Sequence, residues 1–145
     1  MKLLLVHVWN EKELCYRGRF SELLSYPSLT LAVLYSLIPE GVFEKIDVID
    51  ENSQRVDHDK EKYDIVMLSF ETSSALSAYK HCTEFRRRGS YVVCGGYHAT
   101  ALPEEAAEHC DTVIAGPAEK SVPQFFRDYL AGTPKKLYRD YNVCA

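Results

Sequence analysis

Side chains able to hold a ligand gather at four points where an apolar run stops. Ile65-Val66-Met67-Leu68 is followed by Ser69 and, three positions on, by Thr72. Val92-Val93-Cys94 is followed by Gly95, Gly96, Tyr97 and His98. Val113-Ile114-Ala115 leads into Gly116, Pro117 and Ala118, with Glu119 next, and the first apolar run ends at Trp9. Hydroxyls, bare backbone and aromatic rings suit a phosphate or a flat ring system. Two adjacent glycines exceed what a turn needs, and without Cβ atoms they let a ligand approach the backbone. His98 has three readings: a ligand contact, an acid–base group or a loop residue. Ser69 to Ser74 serves either to cap a helix or to add Ser69 and Thr72 as ligand partners. Trp9 either lines the crevice or covers the core.

The chemistry implied is binding rather than bond breaking. No run ends in a nucleophile with an evident base beside it. The chain has no G-x-S-x-G elbow, no G-x-G-x-x-G after the first strand and no phosphate-binding G-K-S/T loop. His7, His58, His81 and His109 show no metal-ligand spacing, and there is no C-x-x-C. Catalytic and metal-ligating residues are therefore not expected.

The elements that position these groups alternate. Strands are expected over 2–8, 44–50, 65–68, 91–94 and 112–115, with a short edge strand possible at 137–138. Helices are expected over 27–38, 73–88, 103–109 and 119–130. Pro27 fits a first helical position. Thr72 or Ser73 can cap the helix that Gly89 stops, and Leu76, Tyr79 and Phe85 give it an apolar stripe. Alternating strands and helices predict an α/β chain with a parallel sheet. The expected architecture is a flavodoxin-like (Rossmann-like) three-layer sandwich. Its sheet has five strands in the order 2-1-3-4-5, with 3-2-1-4-5 as runner-up. Ligands bind such sheets in the crevice outside the strand carboxyl ends.

Composition narrows the class. At 145 residues the chain suits one domain. A net charge of −4 argues against a nucleic-acid partner. Arg86-Arg87-Arg88 reads as the last turn of a helix, where cations complement the dipole. No apolar run nears the roughly 20 residues of a membrane span, and the opening apolar run is too short for a signal peptide. The expected location is the cytoplasm. Cys15, Cys82, Cys94, Cys110 and Cys144 are odd in number and unpaired in spacing, so no disulfide framework is expected.

Taken in order, these pieces resemble the N-terminal cobalamin (B12)-binding-type domain of radical S-adenosylmethionine (SAM) enzymes. That group includes the anaerobic magnesium-protoporphyrin IX monomethyl ester cyclase and B12-dependent methyltransferases. The resemblance rests on several segments. They are Pro27-Ser28-Leu29, Val48-Ile49-Asp50, Asp64 to Ser69 with Thr72, Val93 to Thr100, Pro103-Glu104-Glu105-Ala106, and Asp111 to Gly116 with Glu119. It implies a domain over 1–140 that lays a corrinoid against the carboxyl edge of its sheet. Ser69 and Thr72 would meet the corrin or its nucleotide tail. Gly95, Gly96, Tyr97 and His98 would line the tail pocket, with Gly116, Pro117 and Ala118 as its other wall.

Two departures qualify what is implied. No histidine sits in a D-x-H-x-x-G pattern, so cobalamin without a histidine lower ligand is expected. The turn after strand five reads Gly116-Pro117-Ala118-Glu119 where the family often has G-E-G-E, and Pro117 removes one N–H donor. The C-x-x-x-C-x-x-C motif of a radical SAM cluster is absent. Residues 141–145 are therefore expected to begin a linker to a missing C-terminal radical SAM domain. That partner would hold the 4Fe-4S cluster and SAM and perform methyl transfer or cyclisation. The alternative is a degenerate domain that binds no corrinoid and serves a structural or substrate-recognition role. A receiver-type module is disfavoured, because strand one lacks an acidic cluster and strand three leads to Ser69-Phe70.

Overall fold

Four apolar runs become the central strands of one sheet, β1 (Lys2–His7), β3 (Ile65–Ser69), β4 (Tyr91–Gly95) and β5 (Thr112–Ala115). The more polar β2 (Lys45–Asp50) and the three-residue β6 (Leu137–Arg139) form its edges. The structure, a computed structural model, describes residues 1–10 and 28–140. Cys15, Gly18, Pro27, Cys144 and the expected linker at 141–145 lie outside the described residues.

The order is β2-β1-β3-β4-β5-β6, and every pairing is parallel. The expected 2-1-3-4-5 order holds, but the sheet has six strands rather than five. β6 pairs with β5 through Leu137, Tyr138 and Arg139, and only Tyr138 of the three is buried. One inward residue is too little alternation to announce a full strand. Tyr138 is anchored instead by its hydroxyl, which donates to Asp128 at 2.7 Å and accepts from the Lys135 amide at 2.8 Å. Burial pushes its pKa up to about 12.

A parallel sheet must be covered on both faces. On one face, α1 (Leu29–Ser36) and α5 (Ala118–Leu130) pack Leu31, Leu34, Val122, Phe125 and Phe126 against Leu3, Leu5, Met67, Val93 and Ile114. On the other, α2 (Ala75–Arg87) and α4 (Pro103–His109) set Ala78, Cys82, Phe85 and Ala106 against Leu4, Val66, Leu68, Val92 and Cys94. The inward face of α2 is Ala75, Ala78, Tyr79, Cys82 and Phe85, whereas Leu76, expected in the stripe, is 79% exposed. A 3₁₀ turn, Thr72–Ser74, precedes α2, and neither Thr72 nor Ser73 caps it by side chain. Among the described residues a further helix, α3 (Tyr97–Ala101), follows the two glycines, where the sequence gives no helical signal.

The arginine run is taken up at the end of α2. Arg86 pairs with Asp111 at 3.3 Å, Arg87 with Glu84 at 3.0 Å, and Arg88 with Asp59. Cys82, Cys94 and Cys110 are buried free thiols, with Cys82 and Cys94 sulfurs 3.4 Å apart. Hydrogen bonding to Cys110 and Cys82, with full burial, holds the Cys94 thiol well above its ordinary range. Such a thiol is a small core group rather than a nucleophile. Among the described residues no helix is long and apolar enough to cross a membrane.

An exposed cluster ties the sheet's opening ends together. Glu61 takes Lys2 at 2.6 Å and also Lys45. Hydrogen bonds from Lys2 and then Lys45 bring the Glu61 carboxyl down to about 2. A depressed folded-state pKa gives stability present above the unfolded value and lost as pH falls towards 2. The Glu61→Gln variant is therefore expected to be slightly less stable than wild type at pH 7. The gap should close by about pH 2, and salt should shrink it because the pair is exposed. Urea melts at pH 7 and pH 2, with and without added salt, check this.

Candidate functional site

The register places His7, Ser69 and Gly95 side by side at the carboxyl ends of three neighbouring strands. Side chains alternate across a strand. These three therefore share the face of Leu5, Met67 and Val93, which is the α1/α5 face. A cavity of about 520 Å³ opens there. Its rim holds Ser69, Glu71, Gly95, Gly96, Tyr97 and Thr100, and its inner wall Met67, Val93 and Ile114. α1 closes one side with Leu29, Val33 and Leu34, and α5 the other with Ala118, Glu119 and Val122. The volume suits a small-molecule site, and the apolar walls with few polar groups suit an aromatic or aliphatic ligand part.

The three turn glycines have different reasons. Gly96 has φ +99°, and a Cβ there would lie 2.7 Å from the Phe70 carbonyl oxygen and 2.8 Å from its nitrogen. Gly116 has φ +85°, and its Cβ would meet the Asp140 carbonyl at 2.6 Å. Both are required by the chain's own packing. Gly95 differs: its Cβ would make only ordinary contacts with Ile114, at 3.6 and 3.9 Å. The fold does not demand a glycine at 95, and the space its missing side chain leaves belongs to the cavity. Thr100 fastens both turns, since its hydroxyl donates to the Gly96 carbonyl at 2.8 Å and accepts from the Gly116 amide at 3.0 Å.

Of the residues singled out from sequence, Ser69, Gly95, Gly96, Tyr97, Gly116, Pro117 and Ala118 come together around this cavity. Tyr97 is 80% exposed at its mouth, and Pro117 takes the N-cap position of α5, with no side-chain cap bond. Trp9, Thr72 and His98 are not among the lining residues. Trp9 lies beyond β1, with its indole N–H donating to Asp50 at 3.2 Å and its amide to Glu51 at 3.1 Å. His98 is buried on α3 and points into a polar cluster. Its Nδ1 lies 3.1 Å from the Thr72 hydroxyl and its Nε2 2.9 Å from Glu105. Tyr79 donates to the same Glu105 oxygen at 2.9 Å and stacks on His109 with centroids 3.8 Å apart. Thr72 thus has a base beside it that its own sequence neighbourhood does not supply.

Sequence reasoning missed His7, Glu71 and the α1 wall. Sequence spacing considers His7 only as a metal-ligand candidate. The period-two pattern of β1, which puts it level with Ser69, was the available signal. Its Nδ1 lies 3.6 Å from Asp50, and its ring meets Trp9 edge-on at 5.8 Å. No cluster of metal-ligating side chains forms among the described residues.

No protein-family model matches the chain. It is 39% identical over 111 residues to the bacteriochlorophyllide d C-8(2)-methyltransferase of Chlorobaculum tepidum, covering 76% of this chain and 24% of that protein. It is 26% identical over 111 residues to the C-12(1)-methyltransferase of the same organism, with coverage of 77% and 24%. The chain thus spans about a quarter of the length of these curated relatives. Its fold matches part of TsrM, a radical SAM methyltransferase from Kitasatospora setae. That match has a TM-score of 0.65 and 18% identity, over 92% of this chain and 26% of that one. The likeness to the two bacteriochlorophyllide d methyltransferases is one of sequence, and that to TsrM is one of fold. All three of these proteins are named as methyltransferases, and the cyclase side of the resemblance gains nothing from them.

Proposed function

We propose that this chain is the corrinoid-binding domain of a radical SAM methyltransferase and holds cobalamin at the carboxyl edge of its sheet. The observation that carries the reading is Gly95, a glycine that the backbone does not require, set in the wall of a 520 Å³ apolar cavity at that edge. The cavity is too small for a whole corrinoid. Its volume would suit the planar base of a nucleotide tail, which Met67, Val93 and Ile114 with the α1 and α5 side chains would hold. The residues present are compatible with that group: apolar walls for the base, and Ser69 with the opening of α5 for polar groups of the tail.

Bound cobalamin supplies a metal that can carry a methyl group from donor to acceptor. This chain's share is to hold and orient. Ser69 fixes a polar group at the rim, Gly95 admits the ring, and Tyr97 covers the mouth with its exposed face. Leu29 and Val33 exclude water from the α1 side. The reacting partner would be a radical SAM domain of the same parent protein, and the acceptor a tetrapyrrole like those in the relatives' names.

The test is a titration of the 145-residue chain with methylcobalamin, followed by visible absorbance and calorimetry. Saturable one-to-one binding is the expected result. A folded chain that leaves methylcobalamin unbound would sink the reading. It would favour the alternative, a degenerate domain for structural or substrate-recognition use. One placement favours that alternative: Pro117 leaves α5 without a donor at its N-cap.

A further inference from the structure

Two carboxylates line the cavity, and no lysine or arginine does so among the described residues. Glu71 follows β3, and Glu119 lies in the first turn of α5, the helix after β5. β4 runs between β3 and β5 in the sheet, so Gly95 ends the strand that separates the two acids. Both side chains are exposed. Among the described residues no ion pair engages either of them. The cations nearest in sequence are used elsewhere: Lys120 pairs with Asp140 at 3.7 Å and Arg139 with Glu104 at 3.8 Å. His7, the one imidazole of the lining, faces the Asp50 carboxylate at 3.6 Å. A space of 520 Å³ is only about 10 Å across, close to the roughly 8 Å over which physiological salt screens a charge. A ligand group over Gly95 therefore feels both carboxylates.

We propose that Glu71 and Glu119 determine specificity at this cavity, selecting neutral, donor-bearing ring ligands and rejecting anionic ones. The apolar walls reward a ring of either charge, so the choice falls to the rim. A carboxylate only accepts hydrogen bonds. It therefore favours N–H and O–H groups and repels a phosphate, sulfonate or carboxylate. The opening of α5 would by itself attract an anion, and Glu119 in its first turn offsets that attraction.

For the identity of the ligand this rests on the corrinoid reading, whereas the charge selection does not. Cobalamin carries carboxamides around its macrocycle and hydroxyls on the ribose of its tail, all of them donors. Its phosphodiester is the anionic group of the tail. The two acids then turn the phosphodiester away from the mouth. They favour the amidated corrinoid over forms with a carboxylate in place of an amide.

Two measurements separate the selection from the corrinoid. The first uses a matched pair of probes, anilinonaphthalene and its sulfonate, which share one aromatic body and differ by a negative charge. Their fluorescence on titration with the chain gives both affinities. The double variant Glu71→Gln/Glu119→Gln should bind the sulfonate about fivefold more tightly than wild type and the neutral probe equally well. High salt should tighten the sulfonate on wild type and leave the double variant nearly unchanged. Both glutamates are exposed, so the variant is expected to keep the fold, and each single substitution should show part of the effect. Gly95→Phe should exclude both probes. An unchanged sulfonate affinity in the folded double variant overturns the proposal. Probe binding that survives in folded Gly95→Phe overturns its assignment to this cavity. The second measurement compares methylcobalamin with its monocarboxylates, in which one propionamide of the macrocycle is hydrolysed. Wild type should bind at least one of these about fivefold less tightly, and the double variant should bind them alike. Equal affinities in wild type overturn the preference for the amidated corrinoid. If wild type binds no corrinoid at all, the corrinoid reading fails and the probe pair alone decides the selection.

Discussion

Gly95→Phe is expected to fold and to lose methylcobalamin binding by at least a hundredfold. The backbone at 95 is not in the left-handed region, and a Cβ would meet Ile114 only at 3.6 and 3.9 Å. A residue with better β propensity than glycine can therefore occupy the strand end. Its ring must enter the cavity, because position 95 shares the face of Val93 and both line that space. Unfolding free energy should stay within about 1 kcal/mol of wild type. Roughly 3 kcal/mol or more of binding would be lost to a hundredfold weakening. Calorimetry beside a thermal melt checks both. Unchanged affinity in the folded variant would mean that the ligand does not use this cavity.

The neighbouring glycine should behave in the opposite way. Gly96→Ala is expected to cost about 3 kcal/mol of stability, because two penalties coincide. A non-glycine residue at φ +99° is strained by about 1–2 kcal/mol. Its Cβ would also press on backbone atoms of Phe70 at 2.7 and 2.8 Å, which no side-chain rotation relieves. Those Phe70 atoms are engaged, the nitrogen donating to Gly95 at 3.2 Å and the oxygen accepting from His98 at 3.4 Å. The wedge therefore disturbs the link between β3 and β4 as well as α3. A fall in Tm on the order of 10 °C is expected for a chain of this size. A melt within about 2 °C of wild type would show that the Phe70 segment yields freely.

The two glycines side by side mark where sequence reasoning reached and where it stopped. The dipeptide is visible as an excess over what a turn needs, yet nothing in Gly-Gly says which member serves the fold and which the ligand. That division depends on a φ angle and on the approach of Phe70, which follows β3. The four central strands were legible because each is an unbroken apolar run, mostly buried. α3 was not, because Tyr97-His98-Ala99-Thr100-Ala101 follows two glycines and carries no helical apolar period. The α2 stripe was read one position out at Leu76, because Ala75 and Ala78 are small and signal burial weakly. His98 appeared beside the glycines as a crevice residue. Its partners, Thr72 and Glu105, come from other elements, and only their convergence turns the ring inward.

The row of residues at the strand ends comes from pairings between distant parts of the chain. His7 meets Ser69 only when β1 docks on β3, and Ser69 meets Gly95 only when β4 joins them. No local segment contains a partial version of this row. Parallel pairings of this kind form after much of the loop entropy has been lost, which slows folding. A ligand held by the row therefore finds nothing to bind in partly folded chains. Its whole binding energy acts on the native state, raising the thermal midpoint in proportion to RT ln(1 + [L]/Kd). Binding should also slow unfolding more than it speeds refolding, so that occupancy acts as a brake on loss of the fold.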